Sequence, residues 1–201
     1  MSLNLKGKKF LVTGAGRGIG RELVKALNKE ECIVYALNRS KEPLDTLVQE
    51  LPAVVPLHVD LEDWEATRAL LESIEVLDGV VNNAGLADLP STSVLECSKK
   101  FMNKVVDCQV FGAINTMQVV AKKDDRGRSA RVVREHYVKR LIEEGSPLDI
   151  VFTSRTPCGR VPEVSEVVVP IMYLLSDMSS MVSGTNQVVD GGMLSSFITQ
   201  L

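Results

Sequence analysis

The sequence has little of what marks several broad classes of protein. It contains four cysteines with neither a CxxC pair nor metal-ligand spacing, which argues against a disulfide scaffold or a zinc module. No apolar run reaches membrane-spanning length, and the N-terminus lacks the long apolar core of a signal peptide. The net charge of -3 gives no concentrated basic surface for nucleic acid. We therefore predict a reduced, cytoplasmic protein without membrane or nucleic-acid partners.

Apolar, β-branched runs alternate with helical patterns over the first part of the chain. The strand-like runs are KKFLVTG, CIVYALNR, AVVPLHVD and LDGVVNNAG, and the last is followed by a long helix from about Ser98 to Ala121. This alternation predicts parallel β-α-β units with helices on both faces of the sheet. The expected fold class is α/β, with a Rossmann-type doubly wound parallel sheet in a single domain.

The alternation stops after Ala121. A charged stretch follows, in which the most apolar piece, ARVV, is too short and too closely flanked by arginine to predict a core strand. The next apolar run is LDIVFTS, from Leu148 to Ser154. A helix over EVSEVVVPIMYLLSD, interrupted or begun by Pro170, and a final strand over TNQVVDGG complete the predicted elements.

A glycine-rich stretch, TGAGRGIG, follows the first predicted strand and opens the first predicted helix. Gly14 allows a tight turn, Gly18 allows the backbone to approach a pyrophosphate, and Gly20 allows close packing of helix on strand. The helix N-terminus would favour the phosphates through its free N–H groups and dipole. The stretch lacks the Lys-Ser/Thr ending of a P-loop, which makes ATP the poorer ligand.

The second predicted strand ends in LNRS, where an NAD site usually carries an acid for the ribose 2′-hydroxyl. Asn38 takes that place here, followed by Arg39 and Ser40, and Arg17 adds a cation within the glycine stretch. A guanidinium can bind a 2′-phosphate through two hydrogen bonds, whereas an acid would repel it. The sequence therefore predicts NADP(H) as cofactor.

Together, TGAGRGIG, the VDL at Val59–Leu61 and the NNAG at Asn82–Gly85 resemble the short-chain dehydrogenase/reductase family. DLEDWEAT, RTPCGRVPEVSEVV, LLSD and DGG are similar to its dicarbonyl/L-xylulose reductase branch. The resemblance covers Leu5–Ala121 and about His136–Gly192. It implies that Asp60 contacts the adenine and that the NNAG residues line the adenosine and ribose region. The candidate cofactor-binding residues are Gly14, Arg17, Gly18, Ile19, Gly20, Asn38, Arg39, Ser40, Asp60, Leu61, Asn82, Ala84 and Gly85.

The family's catalytic set is a serine, a tyrosine and a lysine four residues after the tyrosine, which this sequence lacks. Its three tyrosines are followed four residues later by Arg39, Leu141 and Asp177. Gln109 stands at the family position of an asparagine that holds a proton-relay water. The segment REHYVKR, with Tyr137, resembles the family's substrate lid. A competing interpretation makes Ser154 the catalytic serine, although RTPCGRVPEV follows it without a gap.

These departures indicate that an internal β-α-β unit, on the order of 30 residues or more, is missing. We expect residues 1–121 to form an intact N-terminal half, 122–147 a charged join and 148–201 a C-terminal remnant. The sheet should then stop at four strands, or LDIVF should pair beside GVVNN. The resemblance implies an NADPH-dependent reductase of small dicarbonyls or ketoses that forms homo-oligomers, with impaired activity in this chain. The alternatives are an inactive NADP-binding pseudo-enzyme or subunit partner, and an unstable splice or gene-model product.

Overall fold

Five parallel strands form one sheet in the computed structural model, which describes residues 3–86, 97–122, 131–134, 150 and 153–196. The order across the sheet is β3-β2-β1-β4-β5. The predicted parallel α/β sheet is confirmed, and β1 is its central strand. The strands are β1 (Lys9–Thr13), β2 (Ile33–Asn38), β3 (Val55–His58), β4 (Gly79–Asn82) and β5 (Arg131–Arg134).

Helices follow the first four strands in the positions that the sequence predicts. Asp63 caps one of them as expected, since its side chain accepts a hydrogen bond from the Ala66 N–H at 3.0 Å. No described helix is both long enough and apolar enough to cross a membrane. The helices are α1 (Gly18–Lys29), α2 (Lys41–Glu50), α3 (Trp64–Ser73), α4 (Lys99–Val106), α5 (Gly112–Lys122), α6 (Val164–Leu175) and α7 (Met193–Ser196).

The sheet separates two hydrophobic cores, because successive side chains of a strand point to opposite faces. In β1, Phe10 and Val12 pack into the core that contains the buried side chains of α1, α2 and α6. Leu11, between them, packs into the other core with residues of α3 and α5. This is the doubly wound arrangement that the alternation of elements predicts.

The expectation of a four-stranded sheet is wrong, because Arg131–Arg134 pairs in parallel with β4. Val133 is 8% exposed and packs in the core of α1 and α6, while Val132 points to the other face and is 45% exposed. Arg131 reaches the C-terminal end of α6, where its Nη1 donates to Ser179 Oγ at 2.6 Å and to the Leu174 carbonyl at 3.3 Å. A flanking arginine is therefore compatible with a strand here, because its charge lies against a helix C-terminus.

The predicted final strand is not formed. Residues 185–190 carry no regular structure and Val188 is 47% exposed. A strand needs a hydrogen-bonding neighbour, and within the described residues the sheet ends at β5. The alternative that LDIVF fills the gap is also wrong, because β5 occupies the place beside β4 and Ile150 is helical. The remaining residues of LDIVF, and most of the charged join, lie outside the described residues.

Candidate functional site

The carboxyl ends of β1 and β4 lie side by side, with the glycine-rich turn leading from β1 into α1. The chain turns from β1 towards β2 on one side, while β4 lies on the other, so the strand order reverses here. In open parallel sheets, ligands bind in the crevice outside the carboxyl ends of strands at such a switch point. The fold therefore assigns the glycine-rich turn to the expected binding end of the sheet.

The glycine-rich turn is packed against the loop after β4. Gly14 has a φ of +68°, and a Cβ there would lie 2.8 Å from the Cα of Ala84. A Cβ on Gly20 would lie 2.4 Å from the Gly14 carbonyl oxygen. Both positions require glycine for space, and the first requires it for conformation as well. The predicted roles of these two glycines in the turn and the packing agree with this geometry.

Asn83 and Thr13 connect the two strand ends, a contact that the sequence analysis missed. Asn83 Nδ2 donates to the Thr13 carbonyl at 2.8 Å, and the backbone N–H groups of Asn83 and Ala84 donate to Thr13 Oγ1 at 3.1 and 3.0 Å. In NNAG the two asparagines look equivalent. The end of β4 at Asn82 distinguishes them, because the side chain that follows turns towards β1.

The N-terminus of α1 is available for an anion. The capping position, Arg17, makes no side-chain cap hydrogen bond, and the first turn of α1 contains no acidic residue. Gly18 has a φ of +56°, and apart from its chain neighbours and the adjoining backbone of α1 no described atom lies within 4 Å of where its Cβ would be. The start of α1 therefore combines a positive helix end with the absence of a capping side chain, as a phosphate-binding turn requires.

Arg21 connects this turn to the start of α2. Its Nη1 donates to the carbonyls of Gly16 at 3.3 Å and of Pro43 at 3.1 Å, and its Nη2 donates to Glu50 Oε2 at 2.8 Å. Because α2 follows directly after the Asn38–Ser40 segment, Arg21 fixes the distance between the two candidate phosphate-binding segments. This role has no signature in the glycine motif itself.

The Asn38–Ser40 segment ends β2 close to Asp60. Asn38 Nδ2 donates to the Ser40 carbonyl at 2.7 Å, so this amide holds the turn in shape. Arg39 is half-exposed, with its Nη1 4.0 Å from Asp60 Oδ2 and 3.5 Å from Glu62 Oε1. The structure therefore brings four of the predicted cofactor-binding residues together, namely Asn38, Arg39, Ser40 and Asp60. It adds Glu62, which the motif does not identify.

Asn82 is buried between β4 and α5. It is 5% exposed, and its Oδ1 accepts a hydrogen bond from Thr116 Oγ1 at 2.7 Å. Its Nδ2 has no hydrogen-bond partner among the described residues. The side chain thus connects strand and helix, and its contact with a ribose stays a prediction.

Gln109 lies in a π-helical turn, Asp107–Phe111, that joins α4 to α5. The predicted long helix is therefore present but contains a widened turn, a feature frequent at functional sites. Gln109 Nε2 lies 3.5 Å from the Leu86 carbonyl and would meet a Cβ on Gly85 at 3.2 Å. Next to it, burial raises the pKa of the Cys108 thiol to about 11.

No described tyrosine takes the place of the absent catalytic one. The Tyr35 hydroxyl lies 3.5 Å from Glu75 Oε1, and Glu75 also pairs with Lys9 at the first residue of β1, at the opposite end of the sheet. Burial, the largest influence, raises the Tyr35 pKa further from neutrality. Tyr173 is half-buried in α6, and Tyr137 lies outside the described residues. Ser154, in the helical residues 153–155, is exposed and lies on no strand.

Comparison with known proteins places this site in a family. The pattern described as short chain dehydrogenase matches residues 8–134, and that of Enoyl-(Acyl carrier protein) reductase matches residues 129–194. The first match includes β5, so the family resemblance extends beyond Ala121, where the resemblance based on motifs ends. The two matches meet at β5.

One relative is similar to this chain in sequence, and two solved structures are similar to it in fold. L-xylulose reductase of Mus musculus is 34% identical over 244 positions, covering 96% of this chain and 99% of the relative. A 3-oxoacyl-[acyl-carrier protein] reductase with bound NAD from Brucella melitensis has a TM-score of 0.81 at 23% identity, covering 94% and 91% of the two chains. A gluconate 5-dehydrogenase from Burkholderia cenocepacia, in complex with NADP and tartrate, has a TM-score of 0.82 at 22% identity, covering 96% and 97%.

The alignment with the L-xylulose reductase spans 244 positions, whereas this chain has 201 residues, so at least 43 positions have no counterpart here. The shared family is one of oxidoreductases that act on carbonyl and alcohol groups. The matched pattern covers more than half of the chain, and the aligned relative is covered almost completely. The chain therefore belongs to the short-chain dehydrogenase family.

Proposed function

We propose that the chain binds NADP(H) at the carboxyl end of β1. The observation that carries this proposal is the uncapped N-terminus of α1, with the open backbone at Gly18. Arg17 lies at the capping position and Arg39 follows β2, so cations stand near both predicted phosphate groups. The absence of an acid at Asn38 favours NADP(H) over NAD(H).

We further propose that the chain is an impaired reductase of small dicarbonyls or ketoses, such as L-xylulose. The substrate class follows from its similarity to L-xylulose reductases. The impairment follows from the sequence, because no tyrosine is followed by a lysine four residues later. We place the positions missing from this chain directly after Arg134, where β5 and the first family match both end.

The residues that are present would bind and orient the cofactor rather than supply a proton. NADPH, when bound, supplies the hydride that reduces a carbonyl carbon. The α1 N-terminus would hold the pyrophosphate, Arg39 the 2′-phosphate, and Asp60 with Leu61 the adenine. The developing oxyanion needs a proton, and a positioned acid is typically worth about 10²–10⁴-fold in rate. Lacking it, the chain should bind NADPH well and turn over slowly.

A second candidate function is NADP(H) binding without turnover, as a cytoplasmic pseudo-enzyme that assembles with itself or with complete subunits. The absent Tyr-x-x-x-Lys pair favours it. The two candidates share the same cofactor site and differ only in whether a carbonyl is reduced.

Titration of the purified chain with NADPH and NADH, followed by nucleotide fluorescence, tests the cofactor. NADPH should bind more tightly, and Arg39→Ala should weaken NADPH alone, by about 1.5–3 kcal/mol for hydrogen bonds to a charged group. Equal affinities, or tighter NADH, would contradict the proposal.

Assays with diacetyl and L-xylulose, beside an intact L-xylulose reductase, test turnover. A rate about 10²–10⁴-fold below the intact enzyme is expected. Complete absence of turnover with NADPH still bound would favour the pseudo-enzyme. A rate equal to that of the intact enzyme would show that another residue supplies the proton.

A further inference from the structure

Glu62 competes for the guanidinium that the proposed cofactor site needs. Glu62 Oε1 is shielded from solvent and has no hydrogen bond among the described residues. Its nearest opposite charge among the described residues is Arg39, whose Nη1 lies 3.5 Å away. A shielded carboxylate oxygen is costly without a compensating charge, so Arg39 is the counter-ion of Glu62.

A second carboxylate adds to this charge balance. Asp60 Oδ2 lies 4.0 Å from the same Arg39 nitrogen, and Asp60 Oδ1 accepts a hydrogen bond from the Glu62 backbone N–H at 3.1 Å. One guanidinium therefore faces two acids. Burial has the largest effect on the pKa of the Cys108 thiol and raises it. Asp60 and Glu62 raise that pKa further and Arg39 lowers it, so all three charges act on the same thiol.

We infer that Glu62 is a specificity-determining residue that weakens the binding of a 2′-phosphate relative to a 2′-hydroxyl; this role rests on the proposed NADP(H) site. A 2′-phosphate that recruits Arg39 leaves Glu62 Oε1 shielded and without its counter-charge. It also brings a dianion close to the carboxylate. A ribose 2′-hydroxyl neither recruits Arg39 nor adds negative charge, so Glu62 does not weaken the binding of NAD(H). The net preference for NADP(H) is then smaller than Arg39 alone would produce.

Glu62→Gln tests this role, because the amide keeps the side chain's shape and the backbone hydrogen bond to Asp60. NADPH affinity should rise about five- to tenfold, because the substitution both releases Arg39 from its counter-ion and removes one like charge near the 2′-phosphate. NADH affinity should change less than about twofold. Glu65→Gln is the matched control, because it removes one exposed negative charge from the same loop and helix start. It should change both affinities by less than about twofold.

The double variant Arg39→Ala with Glu62→Gln separates competition from a general charge effect. Without Arg39, the Glu62 substitution should change NADPH affinity by less than about threefold, because only the direct repulsion between the Glu62 carboxylate and the 2′-phosphate is left to remove. A gain that persists in full would overturn competition for Arg39. Weaker NADPH binding by Glu62→Gln would show instead that Glu62 orients Arg39, and an equal gain for NADPH and NADH would also overturn the inference.

NADPH binding by the parent chain distinguishes failure of the Glu62 role from failure of the proposed cofactor site. If the parent binds NADPH and Glu62→Gln does not differ from it, the role of Glu62 is overturned and the cofactor site stands. If the parent binds neither nucleotide, the proposed function fails and the role of Glu62 fails with it. Melting temperatures without cofactor check the charge pair itself, since Arg39→Ala should destabilise the parent more than it destabilises Glu62→Gln.

Discussion

Similar apolar runs form strands in the segment before β5 but not in the segment after it. Each apolar run from β1 to β4 forms a strand, because each finds a parallel neighbour and a helix to cover it. The run TNQVVD has similar residues but lies beyond the last strand of the described sheet and stays irregular. By contrast, α6 forms as predicted and buries Val168 and Ile171 against α1. A helix satisfies its own backbone and needs only a surface to pack on, whereas a strand needs a partner.

The largest expected effect in the first segment comes from the glycine turn. Gly14→Ala should lower the free energy of unfolding by about 2–5 kcal/mol, because a left-handed φ costs about 1–2 kcal/mol and an overpacked site about 1–3 more. Gly7→Ala is the control, since Gly7 has a φ of +75° but open space around its Cβ position. Urea unfolding of both variants measures the difference. Equal losses would mean that the contact with Ala84 relaxes at no cost.

Two valines test directly whether the two segments differ. Val80→Ala, in β4 and fully buried, should cost about 2 kcal/mol, while Val188→Ala, in the unformed strand, should cost less than about 0.5. Thermal and urea unfolding would compare them. A loss at Val188 as large as that at Val80 would show that residues 185–190 form a strand after all and would remove the contrast.

A smaller effect is expected where β5 joins the C-terminal segment. Arg131→Ala removes hydrogen bonds to Ser179 Oγ and to the Leu174 carbonyl, and should cost about 1–2 kcal/mol. Lys6→Ala removes only the exposed pair with Glu31 and should cost less than about 0.5 kcal/mol. If both variants unfold at the same urea concentration, Arg131 does not stabilise β5.

The smallest effect concerns acid stability at the same junction. The hydrogen bond from Lys8 lowers the pKa of Asp177, with further contributions from Asn4 and Arg131. A lowered folded-state pKa gives stability that is present above the ordinary value of about 4 and is lost as the pH falls through the folded value. Asp177→Asn should therefore flatten the loss of melting temperature below about pH 4. The two curves should differ most near neutral pH and converge in acid; parallel curves would contradict this.

The sequence was sufficient for features that depend on neighbours in the chain. The Asp63 cap, the glycine turn and the positions of the first four strands along the chain all follow from local pattern and spacing. Asn83 and Arg21 were missed because their partners, Thr13 and Pro43, are distant in sequence, and nothing in the motif marks them. β5 was missed for the same reason, since Arg131 becomes compatible with a strand only when α6 places its C-terminus nearby. The position of Glu62 beside Arg39 depends on how β2 and β3 pair.

The position of β1 at the centre of the sheet affects how fast the chain can fold. β1 meets β2 after one short helix, but its other partner, β4, enters only after two further β-α units, with Phe10 opposite Gly79. Closing so long a loop costs chain entropy before the pairing returns any stability, whereas helices form within about a microsecond. We therefore expect the pairing of β1 with β4 to limit the refolding rate. The glycine turn and the Asn83 contacts, which need both strand ends, would then be completed only in this late step.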